Sequence, residues 1–375
     1  MPKMKVTIVG AGNIGSALAS ILAGPEEFSI QVLDRSEEAL DRLEDLNIAA
    51  ELRTYTHDEE LQKILSDQDV AVAAVPQSIV PQIATAAARS DTHYLDFVCA
   101  TPETLSILAP LAEHRAVFTG CGVSPGIIGN VAYGLLEAFA PVTDLTIRVG
   151  AIPKVSTNRI GYGQIWNVDG LIDEYTQPSA AVRDGKAVML SPLENYGHLS
   201  IDGVRYEEFV TSGGLADLSI FGDPGPKNVT FKTIRYPGHL DYMRFLLDDL
   251  GLRNRRDALR SLLYNGLPIV KDDVLLLVVT ASGYQRQRPI ERTVCHRFSP
   301  IPVSGRLNAL TSVATGYAAT LLAMLYRGEI PPVGFVPHHA INTETLLSSP
   351  FLKPLIHPGI AADQLAYLMR PCGFS

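Results

Sequence analysis

The feature that most constrains this chain is a glycine loop in a fixed setting. Lys5–Val9 (KVTIV) is short, β-branched and apolar, as a strand buried on both faces should be. Gly10-Ala11-Gly12-Asn13-Ile14-Gly15 follows at once, and SALASILAG then has helical character until Gly24-Pro25 stops it. Ser29–Leu33 reads as a second strand, and Asp34 closes it, nineteen residues after Gly15. Each part has a physical task. Gly10 permits the tight turn, Gly12 lets a pyrophosphate approach the backbone, and Gly15 lets helix and strand pack closely. The helix N-terminus, at Asn13 and Ile14, offers unpaired N–H groups and partial positive charge to phosphate. Asp34 accepts hydrogen bonds from ribose hydroxyls. Its charge repels a 2′-phosphate, which favours NAD. Arg35 beside it can stack on adenine or pair with a phosphate, which keeps NADP compatible.

The same rhythm continues through the first third. Residues 58–66 read as a helix, Val70–Val75 as a strand and Ile79–Ala88 as a helix. Residues 92–98 then read as a strand, 103–113 as a helix and 115–119 as a strand. Alternation of this kind predicts an α/β fold with a doubly wound parallel sheet. In such a sheet the carboxyl ends of the strands face the ligand. Val75-Pro76-Gln77, Asp96–Cys99 and Gly120–Pro125 occupy those ends, so Val75, Pro76, Asp96 and Pro125 are expected to line the nicotinamide end of the cofactor site.

The pattern changes after residue 120. Cys121–Asn130 is rich in Gly and Pro, and residues 131–139 look helical. From Thr143 onward, strand-like stretches (LTIRVGAI, HLSIDG, YEEFVT, KNVTFKTIRY, DVLLLVVTAS) are joined by Gly, Pro and Asp turns, with helices at 169–174, 239–249 and 255–264. This predicts a second, mostly antiparallel α+β domain. Residues 313–327 then form one long apolar helix. The tail after Gly328 shows no clear periodicity.

Charge and cysteine usage narrow the function classes. Lys plus Arg number 31 against 40 Asp plus Glu, a net −9, which argues against nucleic-acid binding or adsorption to an anionic membrane. The apolar run near Val274–Ala281 is too short to span a bilayer. Cys99, Cys121, Cys295 and Cys372 contain no CxxC pair, so neither a structural zinc site nor a disulfide framework is expected. His338-His339 has no carboxylate or Cys pattern around it and reads as surface loop. A cytoplasmic, soluble protein without metal is the expectation.

Several segments carry a resemblance to a known family. They are VGAGNIG, DFVCATPE (Asp96–Glu103), GCGVSPGIIGN (Gly120–Asn130), GQIWNVDGLIDEYTQP (Gly163–Pro178), TSGGLADL (Thr211–Leu218), KTIRYPGH (Lys232–His239) and TGYAATLLAMLYRGEIPPVGFVP (Thr315–Pro337). In these the chain resembles the saccharopine reductase and lysine 6-dehydrogenase family over nearly its whole length. The resemblance implies a Rossmann dinucleotide-binding domain (1–124 and 305–375, its last helix returning) and an inserted mixed-sheet domain for substrate binding and dimerisation (125–304). It implies an NAD(P)-dependent dehydrogenase acting on a C–N bond of lysine or a lysine-derived amine, working as a homodimer. A polyamine dehydrogenase of the carboxynorspermidine or homospermidine type and a non-catalytic NAD-binding regulator are the alternatives. This chain has Pro-His-His where relatives tend to have an acidic residue after the proline pair.

That chemistry needs a proton acceptor for the ammonium, negative or π-electron density beside the cationic iminium, and an Arg for a carboxylate. Arg235, Tyr236 and His239 sit at a strand-to-helix turn made by Pro237-Gly238. There Arg235 is expected to bind carboxylate and His239 to move the proton. Trp166, the single tryptophan, is expected to wall the iminium. Cys99 falls near the expected nicotinamide position. Glu174, on a helix, could bind an ammonium, although helix acids of this kind are commonly solvated.

Overall fold

The computed structural model describes residues 2–45, 48–214, 218, 221, 225–300 and 307–357. Cys372 and residues 215–217 of the TSGGLADL segment lie outside them. The chain divides into two compact units, Met1–Ile127 with Thr311–Lys353, and Ile128–Leu310 with Pro354–Ser375.

In chain order the first unit begins β1 (Met4–Val9), α1 (Asn13–Leu22), β2 (Phe28–Asp34), α2 (Glu37–Glu44), β3 (Glu51–Thr54), α3 (Asp58–Leu65), β4 (Val70–Ala73), α4 (Val80–Ser90), β5 (His93–Asp96), α5 (Pro102–Ala112) and β6 (Ala116–Phe118). Local chemistry sets the boundaries. The Ser36 hydroxyl accepts from Ala39 N–H at the start of α2, and Thr101 accepts from Thr104 N–H at the start of α5. Asp91, left-handed at φ 51°, ends α4. Helix α6 (Ile127–Leu136) starts four residues earlier than expected, directly after Pro125-Gly126.

The second unit continues with β7 (Val142–Pro153), α7 (Val168–Thr176), β8 (Ser179–Arg183), β9 (Lys186–Leu190), β10 (Gly197–Ile201), β11 (Val204–Val210), β12 (Asn228–Arg235), α8 (His239–Arg244), α9 (Arg256–Gly266), β13 (Asp273–Gln285) and β14 (Arg288–Phe298). Helix α10 (Ala309–Tyr326) follows, then β15 (Gly334–Phe335) and α11 (Thr343–Leu347). The single helix expected over 239–249 is α8 followed by a π-helical turn at Phe245–Asp249.

Unit 1 holds a seven-stranded sheet in the order β15-β6-β5-β4-β1-β2-β3, and every recorded pairing is parallel. Chain direction reverses between β1 and β4, the switch point where a doubly wound sheet binds its ligand. One core layer joins Val9, Leu33, Ala71 and Ala73 of the strands to Leu61 and Leu65 of α3, Ile83 and Ala87 of α4, and Leu108 of α5. The aperiodic tail supplies β15, which extends the sheet beside β6.

Helix α10 corrects one expectation. It is 18 residues long and apolar enough to cross a membrane by length and composition, which counting uninterrupted apolar runs had missed. Yet 83% of its window is buried within the protein. Val313, Tyr317, Ala318, Leu321 and Leu322 are fully enclosed, as in the core helix of a globular unit.

Unit 2 holds a sheet in the order β10-β11-β12-β7-β13-β14, with the β8–β9 hairpin attached through β8 to β12. It is mixed, because β12 runs parallel to β7 while the other pairings are antiparallel. The 74 residues between them, 154–227, include α7, and a long crossover of this kind is what a parallel pair requires. One face of the sheet gathers Ile152, Leu199, Ile201, Tyr206, Ile234, Val274, Leu276 and Val278 into an apolar core. The sequence reading kept the whole tail with the dinucleotide unit. Instead, residues 355–357 run along unit 2: Ser299 N–H donates to Leu355 C=O and His357 N–H donates to Arg297 C=O. The end of β14 offers backbone groups for this pairing.

Candidate functional site

The first group of candidates lies at the carboxyl edge of the parallel sheet. Gly10 has φ +110°, and a Cβ there would stand 2.4 Å from Ala74 C=O. The loop is thereby pressed onto the end of β4, where only glycine fits. Around Gly12 nothing lies within 4 Å of an added Cβ, so the space beside that backbone is open. Helix α1 begins at Asn13 with no side-chain cap and no acidic residue in its first turn. The N–H groups of Asn13, Ile14 and Gly15 are therefore free of side-chain caps, and the site fits a dinucleotide pyrophosphate.

Asp34 is brought to this loop. Its Oδ2 accepts from Ala11 N–H at 2.7 Å and its Oδ1 from Ser36 N–H at 2.8 Å. The carboxylate thus braces the loop, and its remaining lone pairs are available to hydroxyls. Arg35 stacks 5.4 Å above the Tyr55 ring and pairs with Asp58 at 3.4 Å.

Val75 is half-buried and Pro76 exposed just beyond β4, and Gln77 Nε2 donates to Cys99 C=O at 2.9 Å. Three expectations change here. Asp96 is fully buried: Oδ1 accepts from Gly120 N–H at 2.8 Å and Oδ2 from Tyr94 Oη at 3.0 Å. It pins the end of β5 to the loop after β6 and presents no free edge to a cofactor. Burial pushes its carboxyl up to about 6. Pro125 packs against Gly120, where a Cβ would meet its ring at 2.9 Å, and so serves the loop itself. Cys99 is exposed, and partial desolvation and Asp96 push its thiol up, the opposite direction from an activated nucleophile.

His338 is half-buried and tied into the fold, not a free loop residue. Its Nδ1 accepts from Tyr317 Oη at 2.6 Å and its Nε2 donates to Thr119 C=O at 2.9 Å. Burial lowers it to about 4. This chain ties α10 and the tail to the end of β6.

The second group lies in unit 2, where β12, the turn after it and α7 meet. Arg235 is 2% exposed. Its Nε donates to Tyr175 Oη at 2.9 Å, Nη1 to Ile234 C=O at 3.0 Å and Nη2 to Glu174 Oε2 at 2.9 Å. The guanidinium also lies 4.8 Å from the centre of the Tyr162 ring. Tyr175 Oη is 2.9 Å from His239 Nε2, and His239 Nδ1 is 2.8 Å from Ile160 C=O. A carbonyl only accepts, so Nδ1 carries the proton and Nε2 accepts from Tyr175. The polar chain runs Arg235 to Tyr175 to His239 to Ile160, each link pairing one donor with one acceptor. Trp166 Nε1 closes the other side by donating to Tyr162 Oη at 3.0 Å.

Arg235 and His239 are therefore brought together as the turn predicted, but their expected roles do not survive intact. His239 is 1% exposed with both nitrogens held. Burial first, then Arg235, lowers it to about 3, so it is a neutral brace instead of a proton carrier. Tyr236 is not in the cluster. It is the first residue beyond β12, and its Oη donates to Pro153 C=O at 2.9 Å while its ring lies 5.6 Å from that of Tyr206.

Glu174, expected to be solvated, is instead held by Arg235, with its side chain 22% exposed. Burial raises its carboxyl against the opposing pull of Arg235. Tyr162 and Tyr175 were not singled out as site residues. The visible signal for Tyr175 was its place beside Glu174 on an amphipathic helix. Tyr162, four residues before Trp166 in an irregular stretch, gave none.

Family models cover most of the chain. Residues 6–116 match the saccharopine dehydrogenase NADP-binding domain and residues 122–360 the saccharopine dehydrogenase C-terminal domain. The saccharopine dehydrogenase [NADP(+), L-glutamate-forming] of Saccharomyces cerevisiae is 20% identical over 255 residues, 65% of this chain. The match spans 57% of that relative's length. Among solved structures, apo saccharopine dehydrogenase (L-Glu forming) from the same yeast matches with a TM-score of 0.77 at 16% identity, covering 92% of this chain and 96% of the other. That likeness concerns the fold. A myo-inositol dehydrogenase from Corynebacterium glutamicum matches at TM-score 0.45 and 13% identity, over 92% of this chain and 94% of the other.

Proposed function

The chain belongs to the saccharopine dehydrogenase family and is an NAD(P)-binding oxidoreductase of that family, and on this premise we propose that it oxidises or reduces a C–N bond of lysine or a lysine-derived amine. The observation that carries the proposal is the buried polar cluster of unit 2. Glu174 offers negative charge, and Tyr162 and Trp166 offer π-electron faces and polar edges, within one hydrogen-bonded constellation. These groups suit an ammonium or iminium cation.

The open Gly12 backbone, the uncapped N-terminus of α1 and the Asp34 carboxylate are the groups that would hold the dinucleotide. When bound, its nicotinamide supplies the hydride acceptor or donor. Asp34 supports NAD as the preferred form, since a 2′-phosphate beside that carboxylate meets like charge. The relative's name specifies NADP(+), and Arg35 is the group that would accommodate it.

The purified protein should change the nicotinamide absorbance when given NAD or NADP with one of L-lysine, saccharopine or a diamine, or NADH with an aldehyde and amine pair. A requirement for the pair would identify a condensing, polyamine-type reaction. No change with any of them would overturn the proposal.

A further inference from the structure

We propose that the group of this cluster that meets the ligand is Glu174, as a seat for a protonated amine, and that Arg235 is a positioning residue behind it. This rests on the amine-oxidoreductase reading above and names the part of the substrate that the site selects: an ammonium other than the one being oxidised.

The accessible end of the ion pair decides its polarity. Arg235 is 2% exposed, while the Glu174 side chain is 22% exposed. Three of the five guanidinium N–H groups are spent inside the protein, on Tyr175, Ile234 and Glu174, and the Tyr162 ring lies 4.8 Å from the guanidinium carbon. Its charge is already matched by Glu174. A ligand carboxylate would have to displace that carboxylate and bury a second negative group in its place. Glu174 stands differently. Only Oε2 is used, and among the described residues Oε1 accepts no hydrogen bond. Arg235 fixes the carboxylate and opposes the rise that burial imposes on it, and the free oxygen remains an acceptor for N–H donors.

The surroundings match a cation. The six-membered ring of Trp166 lies against Gly170, where a Cβ would stand 2.4 Å from it, one helical turn before Glu174 on α7. The indole is held there by its bond to Tyr162, and no described residue accepts the Tyr162 hydroxyl proton. An ammonium at Glu174 Oε1 is thus offered a charged acceptor with aromatic surface one turn away.

The test is equilibrium binding to the full chain in the presence of NAD, with 1,5-diaminopentane, L-lysine and glutarate as probes. The diamine and lysine should stabilise the wild-type protein and glutarate should not. Glu174→Gln should weaken diamine binding roughly tenfold or more, with Glu174→Asp intermediate. Stabilisation by glutarate equal to that by the diamine, or unchanged diamine affinity in a folded Glu174→Gln or Glu174→Asp protein, overturns the assignment. The wild-type probe series decides it if Glu174→Gln does not fold. Glu174-dependent diamine binding without hydride transfer from any amine would overturn the proposed reaction and leave this assignment standing. Hydride transfer with Glu174-independent binding would do the reverse.

Discussion

At the scale of single residues, the second unit carries a buried charge that the fold depends on. Arg235 is enclosed, and Glu174 supplies its counter-charge. Removing one partner of a buried pair strands the other, whereas removing both for apolar groups can be nearly neutral. Arg235→Met should therefore lower unfolding stability by about 3–5 kcal/mol, and Glu174→Met/Arg235→Met should recover much of that in denaturant titrations. A double variant that is additive in its losses would show that the two charges do not couple. Thr211 offers the opposite case. Its buried Oγ1 has no hydrogen-bond partner among the described residues. Thr211→Val keeps the shape and removes the stranded hydroxyl, so it should raise stability by about 1 kcal/mol, measured by the same titration. A loss would mean that the hydroxyl has a partner in solution.

These residues also show what was legible. Arg235 and His239 were found from the Pro237-Gly238 turn, because the break in the strand is a local event. Tyr236, the first residue after β12, was grouped with them, but its hydroxyl goes to Pro153 C=O and its ring to Tyr206. Glu174 lies 61 residues from Arg235, and no spacing rule links a helix acid to a strand Arg over that distance.

At the scale of elements, α10 is anchored by one carboxylate. Asp273, at the start of β13, accepts from Ala309 N–H and from Leu310 N–H, satisfying donors at the first turn of the helix. Burial outweighs these donors and pushes Asp273 up to about 6. Its folded value thus lies above the unfolded one near 3.9, so the folded state holds the extra proton. Stability from this group is present below about pH 4 and is lost as pH rises to about 6. Denaturation of wild type and Asp273→Asn between pH 4 and 7 should show wild type losing on the order of 2–3 kcal/mol relative to the variant. Parallel curves would contradict this. The parallel strands, the glycine loop and α1 were read from periodicity and punctuation. The edges were not: β3 is largely exposed, β15 has two residues, and pairing with a neighbour alone makes them strands.

At the scale of the whole molecule, length and motifs indicated two units built from non-consecutive segments, and both family domains are present along the chain. Asp34 bears on which dinucleotide the first unit takes. NAD should raise the melting temperature more than NADP at equal concentration, since the more tightly bound ligand stabilises more. Equal or greater stabilisation by NADP would contradict the argument from like charge.

The proposed reaction requires hydride to leave or join a carbon that bears nitrogen. The direct test supplies L-lysine carrying deuterium on its nitrogen-bearing side-chain carbon, or the corresponding labelled amine found active, and weighs the reduced dinucleotide by mass spectrometry. The dinucleotide should acquire the label. Reduction without label, or none with any labelled amine, would contradict that reaction.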